Sequence, residues 1–358
     1  MTRPLLVTGD IFRQQARGGV SRYVVEIAAR VQREVHVTGG WLRSDEVARL
    51  GDRVTPRWSL PAIPGGPRLA APWNGAIDAA AFKRFPTAIV HPSYFRDPRS
   101  IPATRPLVVT LFDLTHERFP VAIFTGPERW KRALCERADR VICISESTRR
   151  DAVELLELPE GKLRVAPLGS HDWNDVAAKP IADAPAEFLL WVGPRYAYKN
   201  FSGALAAFSR CAEARGLKLL CIGGGPFSVP ELRSAAKLGV IDRISQREAA
   251  DAGLRWAYEH AHGLLYPSLW EGFGLPVLEA LSLGCPVLAS NVASLPEVGG
   301  DAAFYAEPNS TDALVAALAR MLAEGRTPAR VAAGRAHAAR FTWAHCAALH
   351  DAVYAELE

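Results

Sequence analysis

The sequence lacks several features that would assign it to a class at once. Its 358 residues include six scattered cysteines and no C-x-x-C pair, so neither a disulfide framework nor a zinc cluster is indicated. No segment approaches the roughly 18 uncharged apolar residues of a membrane-spanning helix. Residues 1–10 lack the apolar core of a signal peptide. We therefore expect a reduced, cytoplasmic protein.

Two motifs of nucleotide chemistry are also missing. There is no D-x-D pair, with which metal-dependent sugar-nucleotide transferases hold their cation. The P-loop G-x-x-x-x-G-K-[ST] is also absent. The glycine-rich turn at residues 221–226 follows a predicted strand but lacks the G-x-G-x-x-G form, so NAD binding is not predicted. A net charge of only +4 does not favour nucleic acid as a partner.

The composition that is present, 49% hydrophobic and 22% charged, is that of an ordinary globular protein. At roughly 100–200 residues per domain, the length predicts about two domains. Residues 1–180 hold 27 basic and 20 acidic side chains, whereas residues 181–358 hold 15 and 18. This imbalance indicates either different partners for the two halves or chance in an arginine-rich chain.

Short apolar runs alternate with segments of helical periodicity, which predicts βαβ units and parallel sheets. Candidate strands are 5–8, 35–38, 88–91, 107–111, 141–144, 163–165, 188–192, 217–222, 263–266 and 286–289. Candidate helices are 20–32, 128–138, 147–156, 201–215, 249–261 and 276–282, with a helical tail at 331–357 that breaks near Phe341. A linker over 170–185 separates two such runs. A shared ligand would then lie at the carboxyl ends of the strands, in a cleft between two doubly wound domains.

The segment from Tyr266 to residue 287 carries the most chemical information. Gly272 and Gly274 precede a helix with a proline in its first turn, which leaves backbone N–H groups and the positive helix end for a diphosphate. Glu271 and Glu279 lie eight residues apart, and carboxylates beside a phosphate site are suited to sugar and ribose hydroxyls. The alternative is a helix start with two surface glutamates.

Three further segments follow predicted strands. WVGPRYAYKNF places Arg195 and Lys199 where they would neutralise a diphosphate leaving group, or would form only a solvated turn. The glycines of GGVSRY, Gly18 and Gly19, would allow a close approach to a ligand or form a plain loop. LFDLTHERF places Asp113 and His116 at a strand end, although a lone histidine is more often structural.

Taken in chain order, these motifs cover nearly the whole chain. They resemble those of family 4 of the retaining glycosyltransferases, in its mannosyltransferase-like branch. The similarity rests on the segments PSLWEGFGLPVLEALSLGCPV, ASNVASLPEVGGDAAFYAEP, WVGPRYAYKNF, ADRVICISESTRRD, GGVSRY and LFDLTHERFP. The resemblance implies the GT-B fold, with two Rossmann-like α/β domains facing a cleft. They would be an acceptor-side domain at 1–175, a donor-binding domain at 176–340, and a last helix at 341–358 that crosses back to the N-terminal domain.

The resemblance also implies roles for individual residues. Glu271 would contact the donor sugar, Glu279 the ribose, and Arg195 with Lys199 the diphosphate. The remaining implied positions line the donor, its base or the reaction centre: Gly272, Phe273, Gly274, Leu275, Ile244, Ser245, Gly18, Gly19, Asp113 and His116. Phe112 stands where relatives often carry a polar residue, which puts the role of the Asp113–His116 segment in doubt.

The implied reaction transfers a sugar with retention, by best estimate mannose from GDP-mannose, to a glycan or lipid-linked acceptor of a bacterial surface polysaccharide or lipopolysaccharide. No metal or other cofactor is implied, since the protein's cations supply the positive charge. The alternatives are a UDP-sugar donor, such as UDP-glucose or UDP-GlcNAc, and a non-catalytic sugar-nucleotide-binding partner. The basic segment 128–140 around Trp130 would form either a contact with an anionic membrane or a solvated helix face.

Overall fold

The computed structural model describes residues 2–59, 66–119 and 126–358. The chain divides into two compact units, the first formed by residues 1–169 with 342–358 and the second by residues 170–341. The sequence placed these divisions at 175/176 and 340/341. The predicted linker at 170–185 contains neither helix nor strand and belongs to the second unit.

The first unit is built on parallel strands. They are β1 (Leu5–Thr8), β2 (Val35–Leu42), β3 (Val54–Ser59), β4 (Ile89–Pro92), β5 (Val108–Leu111), β6 (Arg140–Cys143) and β7 (Leu163–Val165). They pair in the orders β3-β2-β1-β4 and β5-β6-β7, and a parallel bridge between Val90 and Leu107 joins the two sets. The helices are α1 (Asp10–Gln14), α2 (Gly19–Arg30), α3 (Gly66–Arg84), α4 (Thr115–Arg118), α5 (Lys131–Arg137) and α6 (Glu146–Leu156).

The second unit repeats this plan with six parallel strands in the order β10-β9-β8-β11-β12-β13. They are β8 (Phe188–Val192), β9 (Lys218–Ile222), β10 (Ile244–Arg247), β11 (Leu264–Tyr266), β12 (Val287–Ser290) and β13 (Phe304–Ala306). The helices are α7 (Phe201–Arg210), α8 (Val229–Lys237), α9 (Asp251–His260), α10 (Leu275–Ser282), α11 (Leu295–Gly299), α12 (Thr311–Glu324) and α13 (Pro328–Ala338). The last helix, α14 (Trp343–Ala355), returns to the first unit.

Burial on both faces explains why the central strands could be predicted. Strands such as β1 and β8 are continuous apolar runs because helices cover both sides of a parallel sheet. The structure confirms every candidate strand, with ends shifted by no more than a few residues. It adds β3, β10 and β13, which the sequence analysis missed. All three lie at sheet edges. The sequences of β3 and β10 include charged and polar residues, and β13 has only three residues.

The predicted helices are confirmed with two corrections. The helix predicted at 201–215 ends at Arg210, and a 3-10 turn follows it. The helix predicted at 128–138 begins as a 3-10 turn and becomes α-helical at Lys131. The predicted break near Phe341 lies between α13 and α14, where the Thr342 side chain accepts a hydrogen bond from the His345 N–H at 3.0 Å.

Helix α14 is held to the first unit by a buried chain of hydrogen bonds. Tyr23 Oη lies 2.6 Å from Thr110 Oγ1 and 2.5 Å from His350 Nε2. His91 Nε2 lies 2.9 Å from Thr110 Oγ1, and His91 Nδ1 lies 2.7 Å from Tyr354 Oη. All five side chains are buried. The chain therefore joins α2, β4 and β5 to two positions on α14.

The Cys346 carbonyl oxygen determines which atom donates and which accepts at each step of this chain of hydrogen bonds. His350 Nδ1 lies 2.7 Å from the Cys346 carbonyl oxygen, so it carries the hydrogen. Because burial lowers the pKa of His350 to about 4, the ring is neutral at pH 7 and Nε2 accepts from Tyr23. Tyr23 then accepts from Thr110, which accepts from His91 Nε2. His91 Nδ1 is left to accept from the Tyr354 hydroxyl. This arrangement requires both histidines to be neutral.

The first prediction concerns acid stability. Burial lowers the pKa of His91 to about 3 and of His350 to about 4, below the unfolded value near 6.5. The unfolded chain therefore binds more protons, and the histidines' contribution to stability is lost as the pH falls from about 6.5 towards 4. Each histidine should add a slope of about 1.4 kcal/mol per pH unit there.

Denaturant unfolding of the wild type and His350→Gln between pH 7 and 4.5 measures this slope. The variant should show a shallower dependence. His345→Gln, an exposed position on the same helix, should retain the wild-type slope. Equal slopes in the wild type and His350→Gln would contradict the claim that both buried histidines are neutral and bonded in the directions given above.

Candidate functional site

The candidate site of the second unit lies where the strand order reverses. β8 and β11 are neighbours, but the chain leaves them in opposite directions across the sheet, and ligands of doubly wound folds bind at such a point. The Leu269 N–H donates to the Tyr198 carbonyl at 2.7 Å and joins the two loops. Asn200 Nδ2 donates to the carbonyls of Pro267 and Pro308, at 3.1 and 2.8 Å. The loops after β8, β11 and β13 are therefore held as one surface.

Lys199 and Glu271 form an ion pair at this reversal. The Lys199 ammonium donates to both Glu271 carboxylate oxygens, at 2.6 and 2.9 Å, and to the Tyr266 hydroxyl at 3.1 Å. The side chains are only 14% and 9% exposed, so the pair is little screened by water. The structure thus brings together two residues that the sequence assigned to the diphosphate and the sugar.

Helix α10 begins beside this pair. Gly274 precedes it with φ +108°. Pro276 has no N–H and the Val277 N–H donates to the Gly274 carbonyl at 2.9 Å, so Leu275 supplies the first-turn N–H that can face a ligand. A Cβ at Gly274 would lie 2.7 Å from Leu295 Cδ2, so the position accepts only glycine without rearrangement. Gly272 and Leu275 flank it. Phe273 is buried and packs edge-on against Phe341, with ring centroids 5.9 Å apart, so only its backbone is suited to face a ligand.

Glu279 lies one turn into α10 rather than in its first turn. Its side chain is buried, and one carboxylate oxygen accepts a hydrogen bond from the Tyr258 hydroxyl at 3.1 Å. Glu271 is buried as well. The alternative of two surface glutamates is therefore wrong. A buried carboxylate requires specific partners, and Tyr258 is one of them.

Arg195 is directed away from the Lys199–Glu271 pair. Its Nε donates to Glu231 at 2.7 Å, and its two terminal nitrogens donate to the carbonyls of Gly223 and Gly225 at 3.1 and 2.8 Å. The guanidinium is stacked over the Phe227 ring, and the side chain is 3% exposed. We call these contacts the Arg195 clamp. The predicted contact with a diphosphate would require the guanidinium to leave them.

The Arg195 clamp stabilises the conformation of the glycine-rich turn after β9. Gly223, Gly224 and Gly225 all have positive φ, and Arg195 binds the carbonyl groups that this conformation turns inwards. The turn is thus a structural partner of Arg195, which the sequence did not indicate.

Ile244 and Ser245 begin the edge strand β10, and both are half-buried. The Ser245 hydroxyl is enclosed and has no hydrogen-bond partner among the described residues. A buried hydroxyl without a partner costs free energy, so a ligand atom at this position would be stabilised. The predicted contact of these residues with a base stays a prediction.

The remaining predicted residues belong to the first unit, at the ends of β1 and β5. Gly18 and Gly19 open α2, and Gly19 is exposed. Asp113 Oδ1 accepts from the Thr115 N–H at 3.0 Å and so orders the start of α4, on which His116 is exposed. Phe112 packs edge-on against Tyr23, with centroids 5.2 Å apart, which explains an aromatic residue at this position.

The basic segment 128–140 is less available than its composition indicates. Four of its cations bind carbonyl oxygens or carboxylates of the same unit: Lys131, Arg132, Arg137 and Arg140. Trp130 is half-buried with Arg99 and Arg129 over its ring. Within the described residues, no helix has the length and apolar character to cross a bilayer.

Sequence reasoning missed the residues that position the site. Asn200 adopts a left-handed conformation with φ +59° and also accepts from the Gly203 N–H at 3.1 Å to cap α7. Ser294 Oγ lies within hydrogen-bond distance of the Glu271 and Phe273 carbonyls. The Asn-Phe step before a helical segment was an available signal for a cap; nothing local marked Ser294.

The second prediction tests the start of α10. Gly274→Ala places a Cβ at φ +108° and against Leu295, so it should lower the unfolding free energy by at least about 1–2 kcal/mol. Gly216→Ala is the control, since nothing lies within 4 Å of its Cβ position and its φ is not positive. Urea unfolding measures both. A Gly274→Ala variant as stable as Gly216→Ala would contradict the constraint.

Comparisons with known proteins show the family to which the chain is related. The family model "Glycosyltransferase Family 4" matches residues 17–170, and "Glycosyl transferases group 1" matches residues 186–324. The chain is 29% identical over 259 residues to the O-antigen chain mannosyltransferase B of Escherichia coli, covering 63% of this chain and 66% of that protein. It is 28% identical over 236 residues to the MMP alpha-(1->4)-mannosyltransferase of Mycolicibacterium hassiacum, covering 63% and 56%. The chain thus spans less than two thirds of either relative.

Solved structures of similar fold cover almost the whole chain. Anabaena HepE in complex with UDP and glucose aligns with a TM-score of 0.74 at 17% identity, over 99% of both chains. WaaG, a glycosyltransferase involved in lipopolysaccharide biosynthesis, aligns with a TM-score of 0.71 at 17% identity, over 98% of this chain and 99% of that one. At such identities the likeness shows the fold. Together, the two family matches and the two Rossmann-like units show that the chain belongs to the group 1 and family 4 glycosyltransferases, which have the GT-B fold.

Proposed function

We propose that the protein transfers a hexosyl group from a nucleoside diphosphate sugar to a hydroxyl of a glycan or lipid-linked acceptor, with retention of anomeric configuration. Mannose from GDP-mannose is the proposed donor, and an O-antigen or related surface polysaccharide is the proposed product. The similarity to O-antigen chain mannosyltransferase B supports mannose as the sugar and an O-antigen as the product.

The observation that carries the proposal is the buried Lys199–Glu271 pair beside the start of α10, with Glu279 one turn further on. A cation and a helix N-terminus attract a diphosphate. Two carboxylates in the same site would repel the diphosphate unless they accept hydroxyl groups. A nucleoside diphosphate sugar supplies a diphosphate, sugar hydroxyls and ribose hydroxyls in one molecule.

The ion pair prepares Lys199 for this role. Its ammonium has three hydrogens, and the two Glu271 oxygens and Tyr266 accept them in the present structure. A diphosphate entering the site would compete with Glu271 for the ammonium. The carboxylate would then be released to accept a donor-sugar hydroxyl while Lys199 binds phosphate. Donor binding therefore exchanges one buried ion pair for a contact between Lys199 and phosphate and a hydrogen bond from a sugar hydroxyl to Glu271.

In the proposed reaction, the bond between the anomeric carbon and the diphosphate oxygen breaks, and the acceptor oxygen bonds to the same face of that carbon. The acceptor proton passes to a phosphate oxygen of the leaving group, so no protein base is needed. Lys199 and the Leu275 N–H at the start of α10 stabilise the charge that develops on the diphosphate. We propose that they do so without a metal ion.

The other residues of the proposal have supporting roles. Glu279 would bind the ribose, and Ile244 with Ser245 the base. Arg195 would hold the turn after β9 in its clamped state. Gly18, Gly19, Asp113 and His116 remain the candidates for the acceptor and the reaction centre. We propose a cytoplasmic reaction, with peripheral membrane contact through the basic first unit.

The third prediction tests the leaving-group role. Lys199→Ala should lower kcat by about 10²–10³-fold, because charge on the diphosphate loses its cation. Affinity for the uncharged nucleoside should stay within about threefold of the wild type, since the nucleoside has no phosphate to lose contact with. Lys218→Ala, an exposed lysine on β9, is the matched control. Equal losses of turnover and nucleoside affinity would contradict the role.

Stability must be separated from chemistry in this experiment, because Lys199→Ala leaves Glu271 buried without its cation. Breaking a buried pair at one partner costs about 3–5 kcal/mol. The double variant Lys199→Ala/Glu271→Gln should recover part of the melting temperature and none of the turnover. Recovery of turnover would show that instability caused the loss.

The fourth prediction concerns the donor. A thermal-shift panel of GDP, UDP, ADP and their nucleosides should show the largest stabilisation with GDP. A larger shift with UDP would favour a UDP-sugar donor. No shift with any nucleotide would overturn the proposed reaction and favour a function other than an enzyme's.

A further inference from the structure

A buried tyrosine takes part in the hydrogen bonds around each of the two site glutamates. Tyr266, the last residue of β11, accepts from the Lys199 ammonium that binds Glu271. Tyr258, on α9, donates directly to Glu279. The two tyrosines thus serve different carboxylates, and Tyr258 lies outside the motifs that identified the site.

The Tyr258 hydroxyl is a fixed donor. The side chain is fully buried, and its oxygen lies 3.1 Å from Glu279 Oε2. Burial, reinforced by the Glu279 charge, raises the pKa of Tyr258 well above its usual value of 10. The group therefore keeps its hydrogen at neutral pH and stays a donor to the carboxylate.

The Tyr258 ring is itself held in place. The Trp173 ring packs edge-on against it, with centroids 6.2 Å apart, and Trp173 is buried although it lies in the irregular segment before β8. Arg326 donates to the backbone carbonyls of Tyr258 and Ala261, which fixes the end of α9. The hydroxyl thus has little freedom to follow a moving carboxylate, so the carboxylate must take the position that the tyrosine sets.

We propose that Tyr258 is a positioning residue, which orients the Glu279 carboxylate for the ribose hydroxyls of the donor. The inference rests on the proposed function, because it needs a ribose in the site. A carboxylate held at one oxygen by a rigid donor loses less conformational entropy when it accepts a ligand hydroxyl. If the Tyr258–Glu279 hydrogen bond served only to satisfy two buried polar groups, its removal would lower the affinity for ribose and deoxyribose ligands equally.

The test compares ribose with deoxyribose forms of the same nucleotide. Calorimetry on the full-length protein measures the dissociation constants of GDP, 2′-deoxy-GDP and 3′-deoxy-GDP, with the UDP series in parallel. The wild type should prefer the ribose form over at least one deoxy form by about tenfold or more, as expected for a hydrogen bond to a charged group. Tyr258→Phe should reduce this preference to within about threefold, with affinity for the deoxy form changed less than twofold.

Two variants make the result specific. Tyr305→Phe is the matched control: it removes a tyrosine hydroxyl of the same unit that donates to the Gly300 carbonyl at 2.8 Å, and it should leave the ribose preference at the wild-type ratio. Glu279→Gln should lower the preference, and Tyr258→Phe added to it should cause no further loss. The double variant also removes the buried carboxylate that Tyr258→Phe leaves without its donor, so it answers the question if the single variant does not fold.

The outcomes separate the inference from the proposed function. A wild type that binds no nucleotide would overturn the proposed function. A wild type that binds and discriminates, together with a Tyr258→Phe variant that discriminates equally well, would overturn the positioning role alone. Equal weakening of ribose and deoxyribose forms in Tyr258→Phe would also overturn it and would assign Tyr258 to stability.

Discussion

The parallel pairing of β8 with β11 is the constraint on which the second unit's site depends. Parallel strands end at the same edge of a sheet, and the reversal of strand order at this pair leaves the two following loops side by side. Lys199 comes from one loop and Glu271 from the other, 72 residues apart in the chain. The ion pair, the start of α10 and the Asn200 contacts all follow from this placement.

Several buried polar groups that position the site and α14 are matched with partners of defined direction. Glu279 is held by a neutral tyrosine donor, and Arg195 is saturated by Glu231 and three carbonyl oxygens of a glycine turn. The histidine chain under α14 follows the same rule, since one carbonyl determines every donor in it. Such matching stabilises one arrangement over its alternatives, because a wrong rotamer would leave a buried group without a partner.

The return of α14 to the first unit shows how polar contacts add specificity to apolar packing. The helix presents Trp343, Val353 and Tyr354 to the core, but an alanine-rich segment could pack in several registers. Its ion pairs with the first unit, among them Arg33 with Asp351 and Arg164 with Glu356, select one register. The two histidine contacts fix the same register from the buried side.

The sequence by itself determined the two α/β units, nearly all buried strands, the break before α14 and the proximity of Lys199 to the two glutamates. These features follow from local patterns: apolar runs, helix caps and the known behaviour of strand ends. Only the tertiary structure decided which side chains pair. Arg195 and Lys199 lie four residues apart, yet one binds a glycine turn and the other a glutamate. The edge strands and Tyr258 escaped prediction for the same reason, because their roles depend on neighbours distant in the chain.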